Sequence, residues 1–127
     1  MRKLLLIGLA LLILGLAAGC GGEEAATAGV RSGEVTITMK NMKFTPAKVT
    51  VRQGTKVTFV NQDVLIHDAM QVSVQEFGKA EPGFDTGEVG PGKSFTVTFD
   101  KPGVYPILCS QAAHFTAGMI GTITVVE

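Results

Sequence analysis

The 127-residue chain contains no tryptophan, one tyrosine, two cysteines and two histidines. Cys20 follows an apolar run near the start and Cys109 lies close to a histidine and a methionine, so each has a separate explanation and a disulfide between them is not expected. Aromatic residues are scarce, whereas valine and threonine recur throughout, and that composition favours strands over helices. With so few cysteines and histidines, each one needs its own explanation.

The sequence also lacks an excess of charge of either sign. It has 11 basic and 11 acidic residues, and two of the basic ones, Arg2 and Lys3, lie at the very start. No basic run and no glycine-rich phosphate loop occurs, so nucleic-acid binding is not expected. A chain of this length has room for one folded domain.

The one long apolar run, residues 4–18, is shorter than the roughly 20 residues that a membrane-spanning helix needs. It follows a basic end and finishes in small residues, as export signals do. The Cys20 that follows Ala18-Gly19 resembles the lipid-attachment cysteine of bacterial lipoproteins. We predict a lipoprotein signal at 1–19 and a flexible linker at 20–33. An uncleaved anchor and a plain secretory signal are the alternatives.

Export with a lipid on Cys20 would hold the protein at the outer face of the cytoplasmic membrane or in the periplasm.

From residue 34 onward, apolar and polar residues alternate with a period of two, as in half-buried strands. The predicted strands are 34–40, 44–51, 56–61, 67–74, 85–89, 94–99, 104–108 and 119–126. Seven or eight short strands without any helical period predict an all-β sandwich over residues 34–127.

The segment 105–119 carries the clearest chemical signal. Four residues separate Cys109 from His114, and four more separate His114 from Met119. One thiolate, one imidazole and one thioether suit copper, whose blue sites combine two histidines and a cysteine with a weak methionine. The second histidine can only be His67. We therefore predict one mononuclear copper site.

These residues, together with His67-Asp68 and a Pro-Gly-x-Tyr turn before the cysteine, resemble the cupredoxin family of small blue copper proteins. The loop length is most similar to that of auracyanin and rusticyanin, and the resemblance covers roughly residues 34–126. It implies a Greek-key sandwich with a type 1 copper site. Asp68 stands where cupredoxins usually have an asparagine that hydrogen-bonds to the residue after the cysteine, here Ser110.

Other interpretations of the same residues are weaker. Cys109 could be a buried small hydrophobic residue and Met119 ordinary core filling. An unpaired thiol in an exported protein is prone to oxidation unless a metal holds it. Structural zinc prefers four good nitrogen or sulfur donors, and a binuclear copper centre needs a second cysteine in this loop.

The resemblance implies a monomeric carrier that passes single electrons between redox proteins. Four protein ligands leave no open position for a small-molecule substrate, so an enzyme is not expected. A copper-delivery protein is the alternative, and a domain within a larger oxidase or reductase is a third possibility. In related carriers the loop histidine lies within an apolar docking patch. Here Ala112, Ala113 and Phe115 surround His114 and are the expected docking residues.

Overall fold

The computed structural model describes residues 29–72 and 83–127. Eight strands form in these ranges: β1 (Glu34–Lys40), β2 (Lys43–Thr45), β3 (Lys48–Arg52), β4 (Thr55–Asn61), β5 (Met70–Gln71), β6 (Ser94–Phe99), β7 (Gly103–Leu108) and β8 (Ile120–Val126). The predicted signal segment and Cys20 lie outside the described residues. Within the described ranges, no helix is long and apolar enough to cross a membrane.

The strands form two four-stranded sheets with the orders β2-β1-β4-β6 and β3-β8-β7-β5. The pairs β1/β4 and β3/β8 are parallel, and the other neighbouring strands are antiparallel. The chain leaves the first sheet after β2, returns for β4, and crosses again for β5, β6 and β7. Two sheets linked by such crossings form a β-sandwich, which confirms the predicted fold class.

The core lies between the sheets and follows the predicted alternation. Val57 and Phe59 of β4, and Ile123 and Val125 of β8, are almost fully buried. Residues two apart on a strand point to the same face, so every second side chain is removed from water. Each large apolar side chain buried in this way contributes roughly 1.5–3 kcal/mol relative to the exposed state.

The predicted strand at 67–74 is wrong for most of residues 67–72, the part of it that the structure describes. Only Met70–Gln71 forms a strand, while His67 makes an isolated bridge to Val89. His67, Asp68 and Ala69 are buried one after another. Three consecutive buried side chains cannot share one face of a regular strand, so the backbone departs from it. The predicted strand at 85–89 is likewise reduced to isolated bridges.

The sheet edges also differ from the simple pattern. The alternation in 94–99 predicts one buried face for Phe95, Val97 and Phe99, but Phe95 is 43% exposed and Phe99 only 3%. The strand that holds both, β6, is the outer strand of its sheet and pairs only with β4, so one side of it has no neighbouring strand to cover it. Pro46 lies at a bend, where the chain passes from edge strand β2 to edge strand β3.

The ordered sandwich begins slightly before residue 34. The Arg31 backbone N–H donates to the carbonyl of Thr50 over 2.9 Å, and the Arg31 carbonyl accepts from Arg52 over 2.8 Å. The end of the segment expected to be a linker is therefore attached to β3.

Candidate metal centre

Residues 109–119 connect β7 to β8 in a short loop that its own backbone closes. The Cys109 N–H donates to the carbonyl of Met119 over 3.1 Å, and the Met119 N–H donates to the carbonyl of His114 over 3.0 Å. The His114 N–H donates in turn to the carbonyl of Gln111 over 3.0 Å. These bonds fix the backbone of all three predicted loop ligands.

Two backbone conformations shape this loop. Gly118 has a φ of 92°, a value that side-chain-bearing residues rarely adopt, so the residue before Met119 needs to be glycine. Ala113 has a φ of 65°, which is uncommon for a residue with a Cβ. Its carbonyl accepts from the Ala117 N–H over 2.9 Å, so a tight turn holds the residue beside His114 in this conformation.

His67 is brought to the loop by the connection that follows β4. Asn61, the last residue of β4, is fully buried, and its side-chain amide donates to the carbonyls of Leu65 and Val89 at 2.7 Å each. The His67 and Val89 backbones also bond to each other, at 3.2 and 2.7 Å. Asn61 was missed in the sequence because a buried asparagine at a strand end looks like an ordinary turn residue.

Three of the predicted ligands meet in one buried cluster. The Nδ1 atoms of His67 and His114 are 3.1 Å apart, and the Sγ of Cys109 lies 3.9 and 3.3 Å from them respectively. His67 and Cys109 have no exposed surface, and His114 is 9% exposed. Within the described residues this is the one group of histidine, cysteine and carboxylate side chains arranged to hold a metal ion.

The donor triangle has the dimensions that a metal ion requires. At bond lengths of about 2.0 Å to nitrogen and about 2.3 Å to sulfur, and angles of about 100–130°, the nitrogens lie about 3.1–3.6 Å apart. Nitrogen-to-sulfur separations are then about 3.3–3.9 Å. The three measured distances fall within these ranges.

Without a metal, the Cys109 sulfur is a neutral thiol. Burial raises the pKa of Cys109, and the nearby Asp68 carboxylate contributes to the same rise. A bound metal reverses this effect, because a coordinating thiol loses its proton. The cluster therefore fits a soft metal ion better than it fits a free thiolate.

Met119 occupies the last position of the loop and is fully buried. Its backbone pairs with Cys109, as described above, so the two residues lie side by side at the base of the loop. This placement is compatible with a weak fourth ligand, and that role stays a prediction.

Asp68 joins the two ligand segments. Its carboxylate accepts the backbone N–H and the hydroxyl of Ser110, both at 2.6 Å, and the side-chain amide of Gln111 at 2.9 Å. Burial opposes ionisation of Asp68, but these hydrogen bonds outweigh it and lower its pKa. The structure thus contains the expected hydrogen bond to Ser110, whereas the contribution of Gln111 was not anticipated.

Asp63 is a further neighbour that the sequence did not reveal. Its Oδ2 lies 3.1 Å from the Nε2 of His67, the ring nitrogen that faces away from the cluster. The hydrogen bond with His67 and the backbone N–H of Val64 lower the pKa of Asp63 to about 2. The only sequence signal was the polar run 61–63, which looked like a simple strand end.

The surface around His114 is apolar. Ala112 and Ala113 are exposed, and Phe115 is 54% exposed. Before His67, Val64 is 85% exposed, and Leu65 and Ile66 are about half as exposed. The predicted docking residues are thus accessible, and a second apolar segment precedes the other histidine.

A buried His-Cys-His cluster at one end of a two-sheet sandwich defines a cupredoxin. Residues 31–126 match the family model for copper-binding proteins of the plastocyanin/azurin type. The chain belongs to this family, whose metal is copper. Among residues 29–72 and 83–127, His67, Cys109 and His114 form the one potential copper site.

Curated relatives agree with this assignment. The chain is 34% identical over 89 residues to the chloroplastic plastocyanin of Physcomitrium patens, covering 65% of this chain and 49% of that protein. The match thus spans about half of that plastocyanin's length. A tobacco (Nicotiana tabacum) plastocyanin A'/A'' is 30% identical over 93 residues, with 88% of its length covered.

Solved structures show the same fold both as almost a whole protein and as one part of a larger enzyme. Reduced auracyanin from Roseiflexus castenholzii superposes with a TM-score of 0.60 at 26% identity, over 76% of this chain and 99% of that one. A copper-containing nitrite reductase from Thermus scotoductus matches with a TM-score of 0.59 at 35% identity. That match covers 74% of this chain but only 22% of the reductase.

Proposed function

We propose that this protein is a type 1 copper electron carrier, with His67, Cys109 and His114 as the strong ligands and Met119 as the weak fourth one. The observation that carries the proposal is the buried triangle of two Nδ1 atoms and one Sγ, with edges of 3.1, 3.3 and 3.9 Å. Two imidazoles, one thiolate and a distant thioether make up the blue-copper donor set.

The chain contributes rigidity to this function. When bound, copper supplies a one-electron couple between its +1 and +2 states. Asp68 ties the His67 segment to Ser110 and Gln111, and the backbone bonds of residues 109–119 hold the other donors. A donor set fixed in this way changes little between the two oxidation states, so electron transfer needs little rearrangement.

The burial of the donors supports a carrier over the alternative of copper delivery. A protein that hands over copper needs ligands that a receiving protein can approach. Here His67 and Cys109 are fully buried, and only 9% of the surface of His114 is exposed. With Met119 as the fourth ligand, no coordination position remains for a substrate, which also argues against an enzyme.

A redox titration tests the proposed function. The copper-loaded protein should take up and release one electron reversibly, and it should exchange electrons with a soluble redox dye without losing copper. If reduction releases the metal to a Cu(I) chelator at a rate comparable to that of electron exchange with the dye, copper delivery would be supported instead.

We further propose that the carrier is exported and tethered through a lipid on Cys20, with residues 1–19 as the signal. The support is the sequence pattern alone: a basic end, an apolar run of 15 residues, and a cysteine after Ala18-Gly19. A tether of this kind would keep the domain close to redox partners at the outer face of the cytoplasmic membrane or in the periplasm.

The docking surface for a redox partner is proposed around His114, at Ala112, Ala113 and Phe115. The exposure of these uncharged residues beside the least buried ligand supports this placement, because weak redox encounters need only a small contact area. Ala112→Lys and Phe115→Lys should slow electron transfer to the physiological partner and leave the visible spectrum nearly unchanged. Unaltered kinetics in both variants would place the docking surface elsewhere.

A further inference from the structure

The carboxylate of Asp63 contacts the His67 ring on the side that faces away from the donor cluster. We propose that Asp63 is a positioning residue for His67: its carboxylate keeps Nδ1 directed at the metal and stabilises copper(II) over copper(I). This inference rests on the proposed function, because it assigns a role toward the copper held by the buried cluster.

The hydrogen bond decides which nitrogen of His67 is free. In a neutral imidazole one ring nitrogen carries a proton and the other accepts. An ionised carboxylate can only accept, so the 3.1 Å contact with Asp63 assigns the proton to Nε2. Nδ1 then keeps its lone pair, and it faces the Nδ1 of His114 at 3.1 Å and the Sγ of Cys109 at 3.9 Å.

The carboxylate is itself held in place from two directions. Oδ2 also accepts the backbone N–H of Asn41 at 2.7 Å, and Oδ1 accepts the backbone N–H of Val64 at 2.7 Å. The Asp63 N–H donates to the side-chain oxygen of buried Asn61 over 2.8 Å. Asn41 lies in the turn between β1 and β2, so a separate strand pair supports the carboxylate from outside its own loop.

The backbone conformation of the turn at Asn41 makes this hydrogen bond possible. Asn41 and Met42 have φ values of 52° and 54°, and they link the paired residues Lys40 and Lys43. Two central residues with positive φ define the tight hairpin turn in which asparagine is favoured. This conformation directs the Asn41 N–H to Asp63.

The charge of Asp63 acts on the metal through one imidazole ring. A fixed negative charge favours the more positive oxidation state, and a carboxylate that accepts from a ligating histidine makes that ligand more basic. The Asp63 side chain is only 11% exposed, which limits screening by water. Removing this charge should shift the equilibrium toward copper(I) by roughly tenfold, equivalent to a rise of about 59 mV for a one-electron couple.

The simpler explanation is that Asp63 only shapes the turn through its bonds to Val64 and Asn41. A turn residue would affect stability but would have no reason to change the copper equilibrium or to protect the ring proton of His67 from exchange with water. The two explanations therefore separate in the potential and in the exchange of that proton.

The test compares reduction potentials of the copper-loaded wild type, Asp63→Asn and Asp63→Ala. Asp63→Asn removes the charge and can keep an acceptor for His67, so its potential should rise by the amount given above with the blue band retained. Asp63→Ala removes the acceptor as well, so it should also bind copper more weakly. Asp100→Asn is the matched control, because it makes the same charge change at the other end of the sheet. Asp100 follows Phe99, which pairs with Thr55 at the start of β4, whereas Asn61 lies at the end of β4.

A second readout follows the ring proton of His67. Nitrogen-15 NMR of the copper(I) proteins should show a metal-bound Nδ1 and a proton on Nε2 in the wild type, and that proton should exchange with water faster in Asp63→Ala, because its acceptor is lost. A rise of potential in Asp63→Asn but not in Asp100→Asn, together with this signature, supports the proposal. Equal potentials in all proteins, or a proton on Nδ1 of His67, would overturn it. A wild type without the blue band would instead contradict the proposed function itself.

Discussion

At the scale of single residues, Cys109 is a neutral thiol unless a metal ion replaces its proton. The side chain has no exposed surface, and burial raises its pKa, so the free thiolate is disfavoured. The two imidazole nitrogens beside it offer no permanent charge to offset that cost. A copper ion shared with His67 and His114 would offset it, because a coordinating thiol loses its proton.

Met119 provides the first prediction at this scale. A weak axial ligand tunes the potential more than it holds the metal. Met119→Leu should keep copper and raise the potential, because a donor that favours copper(II) is lost, whereas Met119→Gln should lower it. Cyclic voltammetry of the three proteins measures both shifts. If neither substitution changes the potential, Met119 is core packing and not a ligand.

Residue identity also explains what sequence could and could not predict of the site. Cys109, His114 and His67 could be predicted because each residue type is rare in this chain and chemically distinctive. Asn61, Asp63 and Gln111 could not, because such polar residues occur in most loops. Their roles depend on which segments the fold brings into contact.

At the scale of elements, the strands followed from alternation wherever one face was buried. Strands β1, β4 and β8 lie close to their predicted positions for this reason. The prediction failed at 67–69, where three consecutive side chains turn inward around the cluster. The need to bury a histidine and its neighbouring carboxylate overrides the period of two there, and no pattern in the sequence reports that need.

The contact between β8 and the segment before β3 gives the second prediction. A Cβ at Gly121 would lie 2.7 Å from the carbonyl oxygen of Ala47 and 3.2 Å from the side chain of Ile107. The oxygen belongs to the backbone, and the Thr122 N–H bonds to it at 2.8 Å, so it cannot move away cheaply. Gly121→Ala should lower the free energy of unfolding by about 1–3 kcal/mol.

Urea unfolding of the copper-free protein measures this effect without interference from the metal. Gly54→Ala is unsuitable as a control because Gly54 has a positive φ. Gly90→Ala is better matched, since a Cβ there meets nothing closer than 3.9 Å. Equal losses in the Gly121 and Gly90 variants would show that the close approach to Ala47 has no energetic consequence.

At the scale of the whole molecule, most of the core lies away from the copper site. Val57, Val51, Ile37 and Ile123 are buried between the sheets and make the sandwich largely independent of the cluster. The metal should therefore add to the stability of a chain that already folds.

Because the sandwich core is largely independent of the cluster, the fold should survive the removal of copper. The copper-free protein should keep its β-sheet circular dichroism and unfold cooperatively at a lower temperature than the loaded form. Binding to the folded state alone stabilises by about 4 kcal/mol when the free metal is at about 1,000 times its dissociation constant. A copper-free protein without β-sheet signal would show that folding requires the metal.

The tether gives the prediction that concerns the whole chain. Cys20→Ala should abolish lipid modification, and the variant should no longer partition into detergent or membranes. Its copper spectrum should match the wild type, because Cys20 precedes the sandwich by more than ten residues. A wild type with no lipid mass on its N-terminus, and unchanged partitioning of the variant, would contradict the anchor.

The central claim is that Cys109, His67 and His114 together bind one copper ion as a blue site. The most direct measurement is the visible absorption spectrum of the copper(II)-loaded protein, taken beside that of Cys109→Ser. The wild type should show an intense thiolate-to-copper charge-transfer band with one copper per chain. Cys109→Ser should lose that band, because serine offers no sulfur. A colourless copper(II) wild type, or a serine variant that keeps the band, would contradict the account.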